Sequence, residues 1–230
     1  QGTGLGLKLS QGRQEAKKKM WHQWYQAWLS WRLKDPAYRF LFEPPPDDAV
    51  VCFDCETTGL DPKRDALISL SAIKIQGHEI LTSESLNLTF QPNQTVGADS
   101  IVIHHLRNID LSQGVSPDQA AQAFLRFVGS RPLVGYYLSF DVAMVNQLIQ
   151  PLIGIGLPNA QTDISEIYSQ LFYKSWFHDA QQTFDLSFQA IRQKLALPSL
   201  GQHDAFNDAL MTAMMYVKLK KMQAQAGANK

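Results

Sequence analysis

Cysteine is nearly absent from this chain, with two residues in 230. Two thiols cannot build a disulfide framework, which agrees with a reducing compartment. Long apolar runs are missing too: none approaches the roughly 18 to 20 residues that a bilayer span needs. The amino terminus lacks the apolar core of a signal peptide. The expectation is a soluble, cytoplasmic protein with no membrane partner. What the chain does have is core material. With 45% hydrophobic residues in this length, it can bury one sizeable core, so a single globular domain is expected.

Net charge is also missing, because 21 Lys and Arg balance 21 Asp and Glu. The balance hides an asymmetry. Residues 1–40 hold eight basic residues against two acids, leaving 13 against 19 in the remainder. An acidic body and a basic arm therefore need separate explanations. Residues 1–14, "QGTGLGLKLSQGRQ", show no periodicity and read as a disordered leader or a cloning remnant. Residues 15–43 read as an amphipathic, basic helical arm, with Met20, Trp21, Trp24, Tyr25, Trp28, Leu29 and Trp31 near helical spacing. The favoured expectation is that its Trp face packs on the body. The alternatives are that Lys17, Lys18, Lys19 and Arg32 touch phosphates or that the Trp face binds a partner. Residues 44–49, in "FEPPPDDA", form a Pro-rich linker. A catalytic body at 50–222 and a flexible tail at 223–230 complete the expected organisation.

Strand signals fall at residues 50–53, 67–75 and 80–90, with "QGH" (76–78) as a hairpin turn, which makes a three-strand meander. Beyond it, residues 116–129 read as a helix capped by Ser116 with Pro117 at its first position. "RPLVGYY" supplies a short buried strand, and a helix runs from Asp141. Further helices fit residues 164–173, 186–195 and 204 to about 222. The fold class is α/β with a mixed sheet, since a tight hairpin forces antiparallel pairing while the later crossover permits parallel pairing.

The stretch "VVCFDCETTGLDP" sets Asp54 and Glu56 two residues apart at the end of an apolar strand. Side chains at i and i+2 share a face, about 6.6 Å apart by rise. Two bare carboxylates buried side by side are heavily penalised, so the pair is protonated, solvated or neutralised by a cation. A divalent metal fits best; the competing reading is a strand that ends at Asp54 with both acids solvated or capping the next turn. Cys52 and Cys55, three apart, face opposite sides of such a strand, which argues against redox or zinc chemistry from their C-x-x-C spacing. Downstream, "LVGYYLSFD" places Asp141 at a helix start, where an acid is also an ordinary cap. "GQHDAFNDAL" places His203 ahead of a helix that carries Asp204 and, one turn on, Asp208.

Taken in order, "FDCETTG", "LVGYYLSFD" and "HDAFNDA" resemble the three motifs of the DEDD exonucleases, histidine-containing branch. The proofreading epsilon subunit of bacterial DNA polymerase III belongs to that group. The resemblance covers residues 50–218, with weaker echoes in "TDISEIY" around Asp163 and in the helix from Leu186. It implies a ribonuclease H-like mixed sheet flanked by helices, with two Mg²⁺ or Mn²⁺ ions held by Asp54, Glu56, Asp141 and Asp208. It implies His203 as general base and release of nucleoside 5′-monophosphates from single-stranded 3′ ends, DNA favoured over RNA.

Thr57 and Thr58 become candidate substrate contacts, weighed equally against turn chemistry before Gly59. His105, in "VIHHLRNI", is a candidate nucleic-acid contact set against a surface-loop reading. Tyr137 stands where the family carries Asn; it and Tyr136 either stack on a base or fill the core, with core favoured for at least one. Asp204 falls on a variable family position, so its capping role stands. A polymerase or other protein is the candidate partner for the Trp-rich helix. The competing function is a binding module that keeps the fold without activity, supported by the missing Asn and the Trp-rich arm.

Overall fold

In a computed structural model, residues 20–21, 23–90, 114–176, 185–201 and 204–228 are described. Helix α1 occupies residues 23–32. One of its sides is anchored. Leu29 is buried, Leu33 packs on the core, and Gln26 Nε2 donates to the Pro158 carbonyl at 2.7 Å. The Trp face is not the anchored side, contrary to expectation: Trp21, Trp24, Tyr25, Trp28 and Trp31 stay 47–83% exposed. The reason is angular. At 3.6 residues per turn, Trp24, Trp28 and Trp31 lie on a different side from Leu29 and Leu33, and one helix side can meet the body. Lys17, Lys18 and Lys19 lie outside the described residues.

A 3-10 helix, Pro36–Phe42, follows with Asp35 as its cap, accepting from Ala37 N–H at 2.9 Å. Tyr38 and Leu41 sink into the core. The proline linker is then fastened by Arg131, whose Nε and Nη2 fork onto the Asp47 carboxylate at 2.7 and 2.5 Å.

Strands β1 (Val50–Thr57), β2 (Leu67–Gln76) and β3 (Glu79–Thr89) form the expected antiparallel meander. Gly77 turns the β2–β3 hairpin at φ 59°, a conformation that favours glycine. Helix α2 (Pro117–Val128) carries a Ser116–Gln119 capping box. There follow β4 (Leu133–Gly135), α3 (Leu138–Ile153), β5 (Gln161–Asp163), α4 (Ile164–Trp176), α5 (Phe188–Lys194) and α6 (Ala205–Ala228). Strand order is β3-β2-β1-β4-β5, with β4 parallel to both β1 and β5. The sheet is therefore mixed, as the hairpin and crossover require.

Two boundaries differ from expectation. Helix α3 begins at Leu138, so Asp141 lies inside its first turn rather than at its cap. Helix α6 continues to Ala228, beyond the expected end near residue 222.

Strand alternation sends β1 side chains to two cores. Val51, Phe53 and Cys55 join the core built with α2 and α3, where Phe53 meets Phe124 edge-on at 5.2 Å. Cys52 joins the core built with α4, α5 and α6. The two cysteines are free and on opposite faces, as the parity argument requires. No helix among the described residues is long and apolar enough to cross a membrane.

Candidate active site

The site forms because β1 outruns its neighbour. Strand β4 has three residues and pairs only with Val51 and Cys52. Val51 N–H points to that edge, donating to Pro132 at 2.9 Å. By alternation Cys55 N–H points the same way, but past the end of β4. Its partner is a side chain: Asp141 Oδ1 accepts it at 3.2 Å. Asp141, buried in the first turn of α3, therefore completes the sheet edge beside Asp54 and Glu56. A register shift between Glu56 and Thr57 marks the strand's end, a common device for re-aiming side chains at active sites.

The third segment comes from α6. Ala205, Ala209 and Ala213, four residues apart, put one small-residue stripe against the sheet, and all three are buried. Small side chains allow a close approach. Cys52 Sγ–H donates to the Ala209 carbonyl at 3.3 Å, which docks this helix on β1 two residues below Asp54. Asp208, adjacent to Ala209, is thereby delivered. Asp54, Glu56 and Asp208 each offer a carboxylate oxygen within 4.8 Å of the others. Asp141 stands beside this group rather than inside it, near enough to be the first charge acting on Asp54.

Crowded acids resist ionisation. Burial, then Asp141, Asp208, Glu56 and Asp204, raise Asp54 far above the usual carboxylate range. Burial, then Asp208 and Asp204, push Glu56 up to about 7. Burial raises Asp141 as well, opposed by its hydrogen bonds from Cys55. Every charge that shifts Asp54 is another carboxylate. Close oxygen donors held in that state fit a hard divalent cation such as Mg²⁺ or Mn²⁺.

A polar groove leads away from these acids, and no single sequence motif announces it. It measures about 550 Å³ and is lined by Glu56, Ser69, Ser71, Asn87, Thr89 and Asn207, among others. Cross-strand pairing explains it. Glu56 faces Ser69 and Ser69 faces Thr89; Asp54 faces Ser71 and Ser71 faces Asn87. Directly opposed residues share a face, so two polar rows extend from the carboxylates. Its signal in the sequence is polar residues at alternate positions 69 and 71 of β2 and 85, 87 and 89 of β3.

The remaining expected residues separate into three groups. Thr57 Oγ1 donates to the Gly59 carbonyl at 2.6 Å. Thr58 Oγ1 donates to Asp65 Oδ1 at 3.1 Å and accepts from Ala66 N–H at 3.0 Å. Both hydroxyls serve the turn, which Gly59 permits because a Cβ there would lie 2.6 Å from the Asp65 carboxylate. Tyr136 is half-buried while Tyr137 is 53% exposed. Asp204 caps α6, accepting from Asn207 N–H at 2.9 Å. His105 and His203 lie outside the described residues.

One residue gains a role that spacing did not reveal. Asp163, at the end of β5, accepts Leu138 N–H at 2.9 Å through Oδ2. Its Oδ1 accepts the Ser165 N–H at 2.8 Å and hydroxyl at 2.6 Å. It thus caps α3 from 25 residues away, replacing a side-chain cap that Tyr137 does not make. The sequence hint was a missing one: the residue before Leu138 is not Ser, Thr, Asp or Asn.

A five-stranded mixed sheet with helices on both faces and carboxylates at the end of its central strand is the ribonuclease H-like architecture. The exonuclease (RNase_T) family profile matches residues 51–216, and the chain belongs to that family. Among proteins of similar sequence, a PolC-type DNA polymerase III of Thermotoga maritima is 25% identical over 184 residues, covering 80% of this chain. The chain spans 13% of that polymerase. A DNA polymerase III subunit epsilon of Aquifex aeolicus is 23% identical over 175 residues, covering 75% of this chain and 81% of that subunit. Cell-death related nuclease 4 (CRN-4) superposes with a TM-score of 0.64 at 16% identity, over 77% of this chain and 65% of that one. E. coli exonuclease I in complex with a dA16 oligonucleotide gives 0.63 at 14% identity, over 78% and 42%. At these identities the superpositions speak for fold alone.

Proposed function

We propose that this chain is a divalent-metal-dependent 3′-to-5′ exonuclease that releases nucleoside 5′-monophosphates from single-stranded ends, DNA before RNA. The observation that carries the reading is the gathering of Asp54, Glu56 and Asp208 within 4.8 Å, from β1 and α6, with Asp141 of α3 alongside. These four carboxylates hold the metal ions in this reading. When bound, two Mg²⁺ or Mn²⁺ ions supply positive charge that lets a phosphodiester enter an acidic cleft and that stabilises the charge developing on its oxygens.

The chain's own residues do the rest. His203, immediately ahead of the Asp204 cap, takes a proton from the attacking water, since imidazole titrates near neutrality. Water attacks the terminal nucleotide's phosphorus, and the bond from phosphorus to the preceding 3′ oxygen breaks. That oxygen takes a proton from solvent and leaves as a new 3′ hydroxyl, the terminal nucleotide leaves as its 5′-monophosphate, and His203 returns its proton to solvent. Thr57, Thr58, His105 and Tyr137 are the proposed substrate contacts. The exposed Trp face of α1 is the proposed contact for a polymerase or other protein partner, a role suggested by the relatives' names. End-labelled single-stranded DNA, duplex DNA and RNA, digested side by side with Mg²⁺ or Mn²⁺, test the reading. Stepwise trimming from the 3′ end, lost in Asp54→Ala, is expected; binding without cleavage contradicts it.

A further inference from the structure

Tyr137 is held in an unusual state. Its backbone lies in the left-handed region at φ 47° and ψ 41°, which a bulky residue adopts at a cost. Asn tolerates that region far better than Tyr. Packing compensates only on one side, against Tyr136, and the residue is 53% exposed. Helix capping does not compensate, because the side chain makes no cap bond and Asp163 takes the Leu138 N–H instead. The ring therefore contributes through its open face.

That face has a rigid backing. The Tyr136 ring lies 4.5 Å away at 51°, and Tyr136 is itself braced edge-on by Phe188 at 5.2 Å. The Tyr136 hydroxyl is fixed on the Leu186 carbonyl at 3.0 Å. Chain connectivity at one end of this row and a shared pocket at the other tie it to the acids. Asp141 follows Tyr137 by four residues, about 6 Å of helix rise, and Phe188 and Asp208 line one small pocket. A preorganised aromatic surface beside carboxylates suits the flat face of a nucleobase, because stacking needs no particular base identity.

We propose that Tyr137 is a stacking ledge for the base next to the scissile phosphate, so that the site selects 3′ ends whose last bases are unpaired and free to lie on the ring. The proposal rests on the exonuclease reading and adds to it a residue that grips the terminal base. It distinguishes a base from a bare sugar-phosphate, which a purely ionic site does not.

The test uses end-labelled single strands that carry either ordinary adenosines or abasic tetrahydrofuran residues at the last two positions, together with a blunt duplex. The wild-type chain is expected to cut the base-bearing end roughly tenfold faster in kcat/KM than the abasic end. Tyr137→Phe keeps that ratio. Tyr137→Asn brings it near one and narrows the gap between single strand and blunt duplex. Because Asn suits the backbone, this variant melts at or above the wild-type temperature, which separates stacking from folding. A Tyr137→Asn variant with the wild-type ratio overturns the ledge, as does a wild-type chain that cuts both ends equally. A wild-type chain that cuts neither end overturns the exonuclease reading beneath it.

Discussion

Two helices bring acids to the end of β1, and they do so at the same position by different means. Asp141 is the fourth residue of α3, and Asp208 is the fourth residue of α6. Helix α6 caps itself through Asp204 and approaches the sheet through its alanine stripe. Helix α3 has no local cap; its first N–H is taken by Asp163 from another strand. The start of one helix is capped from its own neighbourhood in the chain, that of the other by a tertiary contact. The contrast predicts different sensitivities at the two helices.

The largest effect comes from the acids themselves. Asp54→Ala, Asp141→Ala and Asp208→Ala are each expected to lower turnover by roughly a thousandfold or more in steady-state digestion. An order-of-magnitude smaller loss at Asp141 than at Asp208 would show that only the 4.8 Å group does chemistry.

The caps come next. Asp163→Ala is expected to cost about 1–2 kcal/mol in urea unfolding, because it strands the Leu138 N–H and releases Ser165. It should also raise the Mn²⁺ concentration needed for half-maximal activity by about 10- to 100-fold, as support for a ligand is lost. Asp204→Ala is expected to cost about 1 kcal/mol with a smaller change in Mn²⁺ requirement. Equal metal effects at the two caps would erase the distinction between the helices.

Outside the site, α1 offers a parallel contrast on one element. Leu29→Ala should cost about 2–5 kcal/mol, whereas Trp31→Ala, at 83% exposure, should stay within about 0.5 kcal/mol. Thermal or urea melts of the two variants decide it.

The smallest expected effect is on pH dependence. Asp54, Glu56 and Asp141 have folded pKa values above their unfolded ones, with Glu56 at about 7. The native state therefore holds protons that the unfolded chain has already lost. Their contribution to stability is complete below the ordinary carboxylate pKa and is lost as pH rises, through about 7 for Glu56 and about 8 for Asp141, with Asp54 raised as well. In chelator, melting temperature should fall between pH 5 and pH 8 more steeply for the wild type than for Asp54→Asn. Saturating Mg²⁺ should remove that difference. A steeper slope in the variant would reverse the assigned sign.

Much of the site was legible because its parts are local patterns. Strand parity alone put Asp54 and Glu56 on one face and split Cys52 from Cys55, and the core memberships agree. The cap at Asp204 followed from helix-start chemistry. Other features depend on three-dimensional pairing that no short stretch encodes. The Asp141 bond to Cys55 N–H exists because β4 stops early, and the polar groove exists because rows align across three strands. The Trp face was misread for a related reason. Periodicity shows that a helix has an apolar side but not which side meets the body, and here Leu29 and Leu33 do.

The most direct test is anomalous diffraction from a Mn²⁺-soaked crystal. A strong peak about 2.0–2.3 Å from carboxylate oxygens of Asp54, Glu56 and Asp208, with Asp141 at its edge, is the predicted result. A peak elsewhere, or none at Mn²⁺ concentrations that support cleavage, would contradict a metal site assembled from β1, α3 and α6.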